Sequence, residues 1–206
     1  MRKLILEIQT SVDGFIADTN GSTEWMVWNW GAEWTWDEEL RNYHTQLTKQ
    51  VDCILLSRQM AEEGFNVHWQ KVTETPSDPR YEFAKHATEI RKVVFTKTLD
   101  KSFPIPGGWT KTDIAEGDFV DVIKRLKKQS RPQSGGNDIM VYGGATFVSS
   151  LIKAKLIDEF HLLVNPVAIG NGLPIFNLIA RQALTLIRSK SFSCGVVLLH
   201  YELKKG

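Results

Sequence analysis

Apolar runs of four to six residues alternate along the chain with stretches in which apolar positions recur every three or four residues. The apolar runs predict buried strands at 4–8, 53–56, 92–96, 139–142 and 159–164. The recurring positions predict helices at 35–50, 58–64, 81–89, 119–128 and 145–155. Strands that alternate with helices indicate an α/β fold with a largely parallel sheet.

The C-terminal part of the chain has a different pattern. Two apolar runs, 183–189 and 196–203, flank the turn residues Ser193-Cys194-Gly195 and predict an antiparallel hairpin at one edge of the sheet. Loops are predicted where prolines, glycines and polar residues cluster, at 66–80, 100–115 and 130–137. Because no internal repeat or linker interrupts residues 1–206, we expect one domain with a mixed sheet.

A helix start signal precedes the first long helix. Thr35 is suited to cap the helix, and Glu38 follows at the spacing of a capping box. The sequence therefore predicts a helix that begins next to Thr35.

Composition narrows the classes of partner. A net charge of +1 gives no overall attraction to nucleic acid or to an anionic membrane. No stretch approaches the ~18 apolar residues that a membrane span needs, and no cleavage-like site follows the N-terminal apolar run. We therefore expect a cytoplasmic protein. No metal site is expected either, because ligand spacing is lacking among His44, His68, His86, His161 and His200.

Phosphate-compatible groups follow three of the predicted strands. They are Ser57-Arg58, Thr96-Lys97-Thr98 and the Gly143-Gly144 turn. An arginine fork and hydroxyls suit a phosphate ester, and a glycine turn before a helix lets backbone N–H groups approach a pyrophosphate. Each segment alone is also typical of a polar loop, a tight turn or an unpartnered surface arginine. Because ligands bind at the carboxyl ends of parallel strands, the three together predict a site for a dinucleotide with an extra phosphate.

The order of these motifs resembles a known family. The residues that carry the resemblance are Ser11 to Ala17, the turn at Arg58, Lys92 to Leu99, Val141 to Ala145, and Leu156 to Phe176, which contains Gly170-Asn171-Gly172-Leu173-Pro174. Over nearly its whole length the chain is similar to the dihydrofolate-reductase-like family of the riboflavin-biosynthesis reductase domain. That domain is the C-terminal half of a bifunctional deaminase–reductase, and the zinc motif of the deaminase half is absent from this sequence.

The resemblance implies a three-layer α/β/α fold, NADPH (the reduced form of NADP) as hydride donor, and a homodimer. It places the adenosine phosphate at Arg58, Thr96 and Thr98, and the nicotinamide near Ile16 and Ala17. The pyrophosphate would be lined by Gly143, Gly144, Ala145 and Thr146. The sequence departs from the family pattern Gly-Arg-x-Thr, which reads here Ser57-Arg58-Gln59-Met60. Ser57 lacks the conformational freedom of glycine, and Met60 lacks a hydroxyl.

Five of the seven tryptophans fall within residues 25–36. Flat aromatic rings stack on flat heterocycles, so Trp25, Trp28 and Trp30 are candidate contacts of a pterin-, pyrimidine- or flavin-like substrate. A hydrophobic plug and a dimer contact are the alternative interpretations of this segment.

Reduction of a C=N or C=O group needs a proton as well as a hydride, delivered directly or through water. The candidate donors are Asp13, Asp37 and Glu38. Asp13 also suits a turn, and Asp37 and Glu38 also suit the first turn of a helix. The leading hypothesis is an NADPH-dependent reductase acting on a small heterocyclic or ribosyl substrate. The alternatives are a dihydrofolate reductase and a non-catalytic NADP-binding dimeric module.

Overall fold

Eight strands and six helices follow one another in the residues that the computed structural model describes, which are 1–31, 33–129, 138–177 and 181–204. In chain order they are β1 (Leu4–Thr10), α1 (Glu38–Lys49), β2 (Val51–Ser57), α2 (Arg58–Glu62), α3 (Phe65–Val72), α4 (Tyr81–Glu89), β3 (Arg91–Phe95), β4 (Thr112–Ile114), α5 (Phe119–Lys128), β5 (Asp138–Val141), α6 (Ala145–Lys153), β6 (Glu159–Val164), β7 (Leu184–Ser191) and β8 (Val197–Leu203). The predicted loop 130–137 lies outside the described residues.

The strands form one eight-stranded mixed sheet, and the chain divides into two compact units. The first unit (Met1–Lys3 and His44–Gly144) contains the order β4-β3-β2-β5, in which every neighbouring pair is parallel. The second unit (Leu4–Tyr43 and Ala145–Gly206) contains the order β1-β6-β8-β7. There β1 and β6 are parallel, whereas β6–β8 and β7–β8 are antiparallel. The mostly parallel sheet with a C-terminal antiparallel hairpin is therefore confirmed.

Strands β2 and β5 of the first unit are buried along almost their whole length, as parallel strands covered on both faces are. Lys92 on β3 is buried as well. Its amine donates to the carbonyls of Ala87, Thr88 and Ile90 at 2.9–3.1 Å, and so closes the C-terminal end of α4. A polar group thus stays hydrogen-bonded inside this core.

In the second unit, β1 is buried at all seven of its positions. Asp158, just before β6, accepts a hydrogen bond from the Leu4 backbone N–H at 2.7 Å, and the Asp158 N–H donates to the Leu4 carbonyl at 2.9 Å. This reciprocal pair sets the register in which β6 lies beside β1.

Four details differ from the sequence-based expectation. Asp37, and not Thr35, accepts from the Leu40 N–H at the start of α1, while the Thr35 hydroxyl donates to the Val27 carbonyl. Residues 65–72 form a helix where a loop was predicted, and 112–114 form a short strand in a segment expected to be irregular. The helix predicted to end at 155 ends at 153.

Within the described part of the chain, no helix combines the length and the hydropathy that crossing a bilayer would require.

Candidate functional site

The first unit brings Arg58 and Thr98 together at the carboxyl ends of β2 and β3. Arg58 Nη1 donates to the Thr98 hydroxyl at 2.9 Å, and Arg58 Nε lies 3.0 Å from both carboxylate oxygens of Glu62. The Arg58 side chain is 51% exposed. An arginine and a hydroxyl are therefore joined at a surface that solvent reaches, with one acidic neighbour that also competes for the guanidinium.

Ser57 and Thr96 shape the backbone on either side of this pair. The buried Ser57 hydroxyl caps α2 by accepting from the Met60 N–H at 3.2 Å. The Thr96 hydroxyl accepts from the N–H groups of Thr98 and Leu99 at 3.1 and 3.0 Å, which fixes the turn after β3. Lys97 and Thr98 are exposed on that turn.

The Gly143-Gly144 turn follows β5 directly and precedes α6, which begins at Ala145. Gly144 has φ +84°, a left-handed conformation that other residues adopt at a cost. A Cβ added at Gly143 would meet only the Met60 sulfur, at 3.9 Å, within 4 Å. The turn is thus open on this side, and Thr146 is exposed in the first turn of α6.

In the second unit, Asp13 holds a distant loop against the segment that follows β1. Its carboxylate accepts from the Gly170 N–H at 2.7 Å, the Ile169 N–H at 3.2 Å and the Ser11 hydroxyl at 2.6 Å. The hydrogen bond from Ser11, with those from the backbone, lowers the pKa of Asp13 against the opposing effect of desolvation. At neutral pH the carboxylate is an acceptor, which makes it a poor proton donor.

Ile16 and Ala17 lie under the same loop and are almost fully buried. The Ile16 N–H donates to the Leu173 carbonyl at 3.0 Å, and the Leu173 N–H donates to the Ala17 carbonyl at 2.8 Å. Gly172 lies so close that a Cβ there would stand 2.2 Å from the Ala17 carbonyl oxygen. In the Gly-Asn-Gly motif, Gly172 thus permits close backbone contact, and Gly170 permits a left-handed backbone at φ +77°.

The tryptophan segment divides into a buried part and a more accessible part. Three of the rings are buried at 3–6% exposure, those of Trp28, Trp34 and Trp36. The centroid of the Trp28 ring lies 4.8 Å from that of Trp36 and 5.9 Å from that of Trp30. Trp25 and Trp30 are half-buried. The plug interpretation therefore fits Trp28, and the surface that a substrate can reach belongs to Trp25 and Trp30.

Asp37 is tied into the fold by several hydrogen bonds. Besides capping α1, it accepts from the Ser193 hydroxyl at 2.9 Å and the Cys194 N–H at 3.0 Å, in the turn of the β7–β8 hairpin. Burial favours the neutral acid, but these hydrogen bonds outweigh it and lower the pKa of Asp37 to about 2. Glu38 is exposed in the first turn of α1. The catalytic role assigned to these acids stays a prediction.

One cluster was not predicted from the sequence. Glu159 and His161 lie two residues apart on β6, and His200 is opposite His161 on β8. Their ligand atoms lie within 4.8 Å of one another. Burial, with the charge of Glu7, raises the pKa of the neighbouring Tyr43 phenol. The sequence signal was the Glu-x-His alternation on β6, but the cluster itself can be recognised only once the register of β6 against β8 is known.

Comparison with known proteins gives one family. The protein-family model described as RibD C-terminal domain matches residues 2–198. Two Bacillus subtilis (strain 168) proteins, YyaP and YwjB, both described as uncharacterized, are each 28% identical to this chain. The alignment covers 97% of this chain and 94% of YyaP, and 97% of this chain and 97% of YwjB.

Solved structures show the same fold. A putative riboflavin biosynthesis protein from Shewanella sp. PV-4 superimposes with a TM-score of 0.66 at 21% identity, covering 100% of both chains. The deaminase/5-amino-6-(5-phosphoribosylamino)uracil reductase of Thermotoga maritima gives 0.64 at 16% identity, covering 98% of this chain and 57% of that one. At such identities the likeness establishes the fold, which is dihydrofolate-reductase-like.

Proposed function

Because the chain belongs to the RibD C-terminal domain family, we propose that it is an NADPH-dependent reductase that delivers a hydride to a small heterocyclic or ribosyl substrate. The solved relative from Thermotoga maritima is described as a reductase of 5-amino-6-(5-phosphoribosylamino)uracil. The sequence motifs and the geometry of the strand ends support the same class of reaction here.

The observation that carries the proposal is the hydrogen-bonded pair of Arg58 and Thr98. A guanidinium that is half exposed and a neighbouring hydroxyl form a donor set for a phosphate ester, which is the group that distinguishes NADPH from NADH. Lys97, exposed on the same turn, adds a second cation. The Glu62 carboxylate also contacts the guanidinium and repels an anion, so displacing Glu62 from Arg58 costs part of the binding energy of the phosphate.

The Gly143-Gly144 turn fits the pyrophosphate. The space beside Gly143 is bounded by a flexible thioether, and the left-handed Gly144 leads straight into α6, whose first N–H groups lack partners within the helix. Ala145 and Thr146 open that helix and would present these N–H groups. When bound, the cofactor would supply the hydride.

In the second unit, the proposal assigns the nicotinamide to Ile16 and Ala17. Their backbone is fixed by hydrogen bonds to Leu173, which would keep this segment in place beside the nicotinamide. Asp13 keeps the covering loop in place through its carboxylate. Trp25 and Trp30, which are half-buried, would contact the substrate through their rings.

The proton that accompanies the hydride is proposed to come from water, and a role for Glu38 stays a prediction. Asp13 and Asp37 are held ionised by their hydrogen bonds, since both have a lowered pKa. A group ionised far below neutral pH carries almost no proton to give. Glu38 is exposed and adjacent to Asp37 at the start of α1.

A homodimer is part of the proposal. Strand β7 lies at an edge of the sheet and exposes Leu186 and Ile187 at 52% and 50%. Exposed apolar side chains on an edge strand are typical of a surface that another chain covers.

Titration with NADPH and NADH tests the cofactor, with the intrinsic tryptophan fluorescence as reporter. We expect NADPH to bind at least tenfold more tightly than NADH. Equal affinity for both would remove the role given to the Arg58–Thr98 pair, and no binding of either would end the cofactor proposal.

Turnover distinguishes the reductase from its alternatives. NADPH oxidation is followed by absorbance with 5-amino-6-(5-phosphoribosylamino)uracil and, separately, with dihydrofolate. Consumption with the uracil compound supports the proposed class of substrate, and consumption with dihydrofolate alone favours a dihydrofolate reductase. NADPH binding without turnover of either compound favours a non-catalytic module.

A further inference from the structure

Glu159, His161 and His200 form a compact polar cluster in the second unit, and none of the three is among the residues proposed above for cofactor and substrate. Side chains two residues apart on a strand point to the same face, so Glu159 and His161 share one face of β6. His200 is the direct antiparallel partner of His161 and points to that face as well. The strand register alone therefore brings a carboxylate and two imidazoles together.

The distances within the cluster match those between the ligands of one metal ion. Glu159 Oε2 lies 3.2 Å from His161 Nε2 and 3.4 Å from His200 Nε2. Two ligand atoms bound tetrahedrally to one zinc ion, each at roughly 2.0–2.1 Å, are about 3.3 Å apart. The two rings lie side by side, with centroids 4.0 Å apart and 22° between their planes.

Ordinary hydrogen bonding accounts for only part of this arrangement. His161 Nε2 has hydrogen-bond geometry to Glu159. His200 Nε2 is buried and makes no hydrogen bond to any described residue, although it lies beside the same carboxylate oxygen. A buried polar nitrogen without a hydrogen bond is costly, and a metal ion between the three ligand atoms would satisfy it.

The surroundings favour a cation. Glu7 is the partner of His161 on β1, and Glu202 is the partner of Glu159 on β8, so three carboxylates lie on this face. On β7, Arg188 and Lys190 share the face; Arg188 is exposed, and Lys190 pairs with Glu39 of α1. Negative charge thus gathers around the two imidazoles.

Tyr43 of α1 orients one of the ligands. Its hydroxyl is hydrogen-bonded to His161 Nδ1. If the phenol oxygen accepts from Nδ1–H, the lone pair of Nε2 is left for a metal, which is the outer hydrogen bond that metal-binding histidines usually make.

From this geometry we propose that Glu159, His161 and His200 bind one divalent transition-metal ion, with zinc as the preferred ion, and that Tyr43 is the positioning residue for His161. The ion would tie β6 to β8 and, through Tyr43, to α1. Its role is structural, because binding to the folded state alone stabilises that state by mass action.

Zinc binding is measured on untagged wild-type protein, treated with a chelator and dialysed, by calorimetry and by thermal unfolding. We expect one zinc ion per chain and a rise in the melting temperature. With free zinc at about 100 times its Kd, the folded-to-unfolded ratio rises about 100-fold. Absence of zinc uptake together with an unchanged melting temperature overturns the proposal.

Variants locate the site. His200→Gln and Glu159→Gln should abolish the uptake, whereas His86→Gln, which removes a histidine bonded to the Val51 carbonyl, should leave it unchanged. Tyr43→Phe should retain uptake at 10–100-fold weaker affinity, on the order expected for loss of an outer hydrogen bond. Circular dichroism verifies that each variant is folded. Uptake that survives in folded His200→Gln and Glu159→Gln overturns the assignment.

Discussion

Asp37 connects the start of α1 to the turn of the β7–β8 hairpin, and the Asp37→Ala substitution measures what that connection contributes. The carboxylate accepts from the Leu40 N–H within the helix, and from the Ser193 hydroxyl and the Cys194 N–H across the hairpin. Loss of an N-cap costs about 1 kcal/mol. The two further hydrogen bonds contribute about 1 kcal/mol each.

We therefore expect Asp37→Ala to lower the free energy of unfolding by about 3 kcal/mol, from the cap and the two hairpin hydrogen bonds. For a chain of 206 residues this corresponds to a fall in melting temperature of roughly 6–12 °C. The assay is urea unfolding followed by circular dichroism. Asp118→Ala is the matched control, because Asp118 caps α5 through the N–H groups of Val120 and Asp121 and makes no side-chain hydrogen bond to a distant residue among those that the structure describes. The control should lose about 1 kcal/mol.

The same carboxylate predicts a pH dependence. The pKa of Asp37 is about 2 in the folded protein, below the value of about 3.9 in an unfolded chain. Its contribution is complete above the unfolded pKa and is lost as the pH falls through the folded pKa. The difference in stability between wild type and Asp37→Asn should be constant above about pH 5 and should shrink between about pH 4 and 2. The reasoning would be refuted if Asp37→Ala lost no more unfolding free energy than Asp118→Ala and if the stability difference between wild type and Asp37→Asn did not shrink at low pH.

Two further predictions concern packing and assembly. Gly172→Ala should destabilise the fold by about 3 kcal/mol or more in urea unfolding, because the added Cβ would stand 2.2 Å from the Ala17 carbonyl oxygen. Gly31→Ala is the control, because its Cβ would meet its nearest atom at 3.6 Å. Equal losses of unfolding free energy in the two variants would contradict the close contact at Gly172. Leu186→Glu should shift the dimer towards monomer in sedimentation analysis. Thr185→Glu is the control, because it adds the same charge beside Leu186 without removing an apolar side chain. A monomeric wild type would rule out the homodimer.

Local patterns predicted most elements of the fold because most helices and strands carry their own hydrophobic periodicity. Helix α3 is instructive, since Phe65, Trp69 and Val72 form a buried helical stripe. The prolines downstream favour a loop for the whole segment and so conceal this stripe in the sequence. The cap of α1 illustrates a different limit. Thr35 and Asp37 are both good caps, and the partners that select Asp37 lie more than 150 residues away, at Ser193 and Cys194.

The candidate site likewise contains residues that were predictable from local sequence and residues whose role depends on remote partners. Arg58 and the glycine turn were recognisable because each follows a strand directly, and topology places strand ends together. The role of Asp13 was less accessible, since its partners Ile169 and Gly170 are remote in sequence. The Glu159–His161–His200 cluster has only a weak local signal, the Glu-x-His alternation on β6. It depends on which residue of β8 faces which residue of β6, and a slip of one residue would separate it.

The selectivity of Arg58→Ala for NADPH over NADH tests the central proposal most directly. Loss of a charge-assisted hydrogen bond of about 1.5–3 kcal/mol predicts a roughly 10–100-fold weaker NADPH affinity, with NADH affinity nearly unchanged. Arg91→Ala, which removes an exposed arginine paired with Asp113, should change neither affinity. An equal loss for both nucleotides in Arg58→Ala, or no loss for either, would contradict the assignment of Arg58 to the phosphate of NADPH.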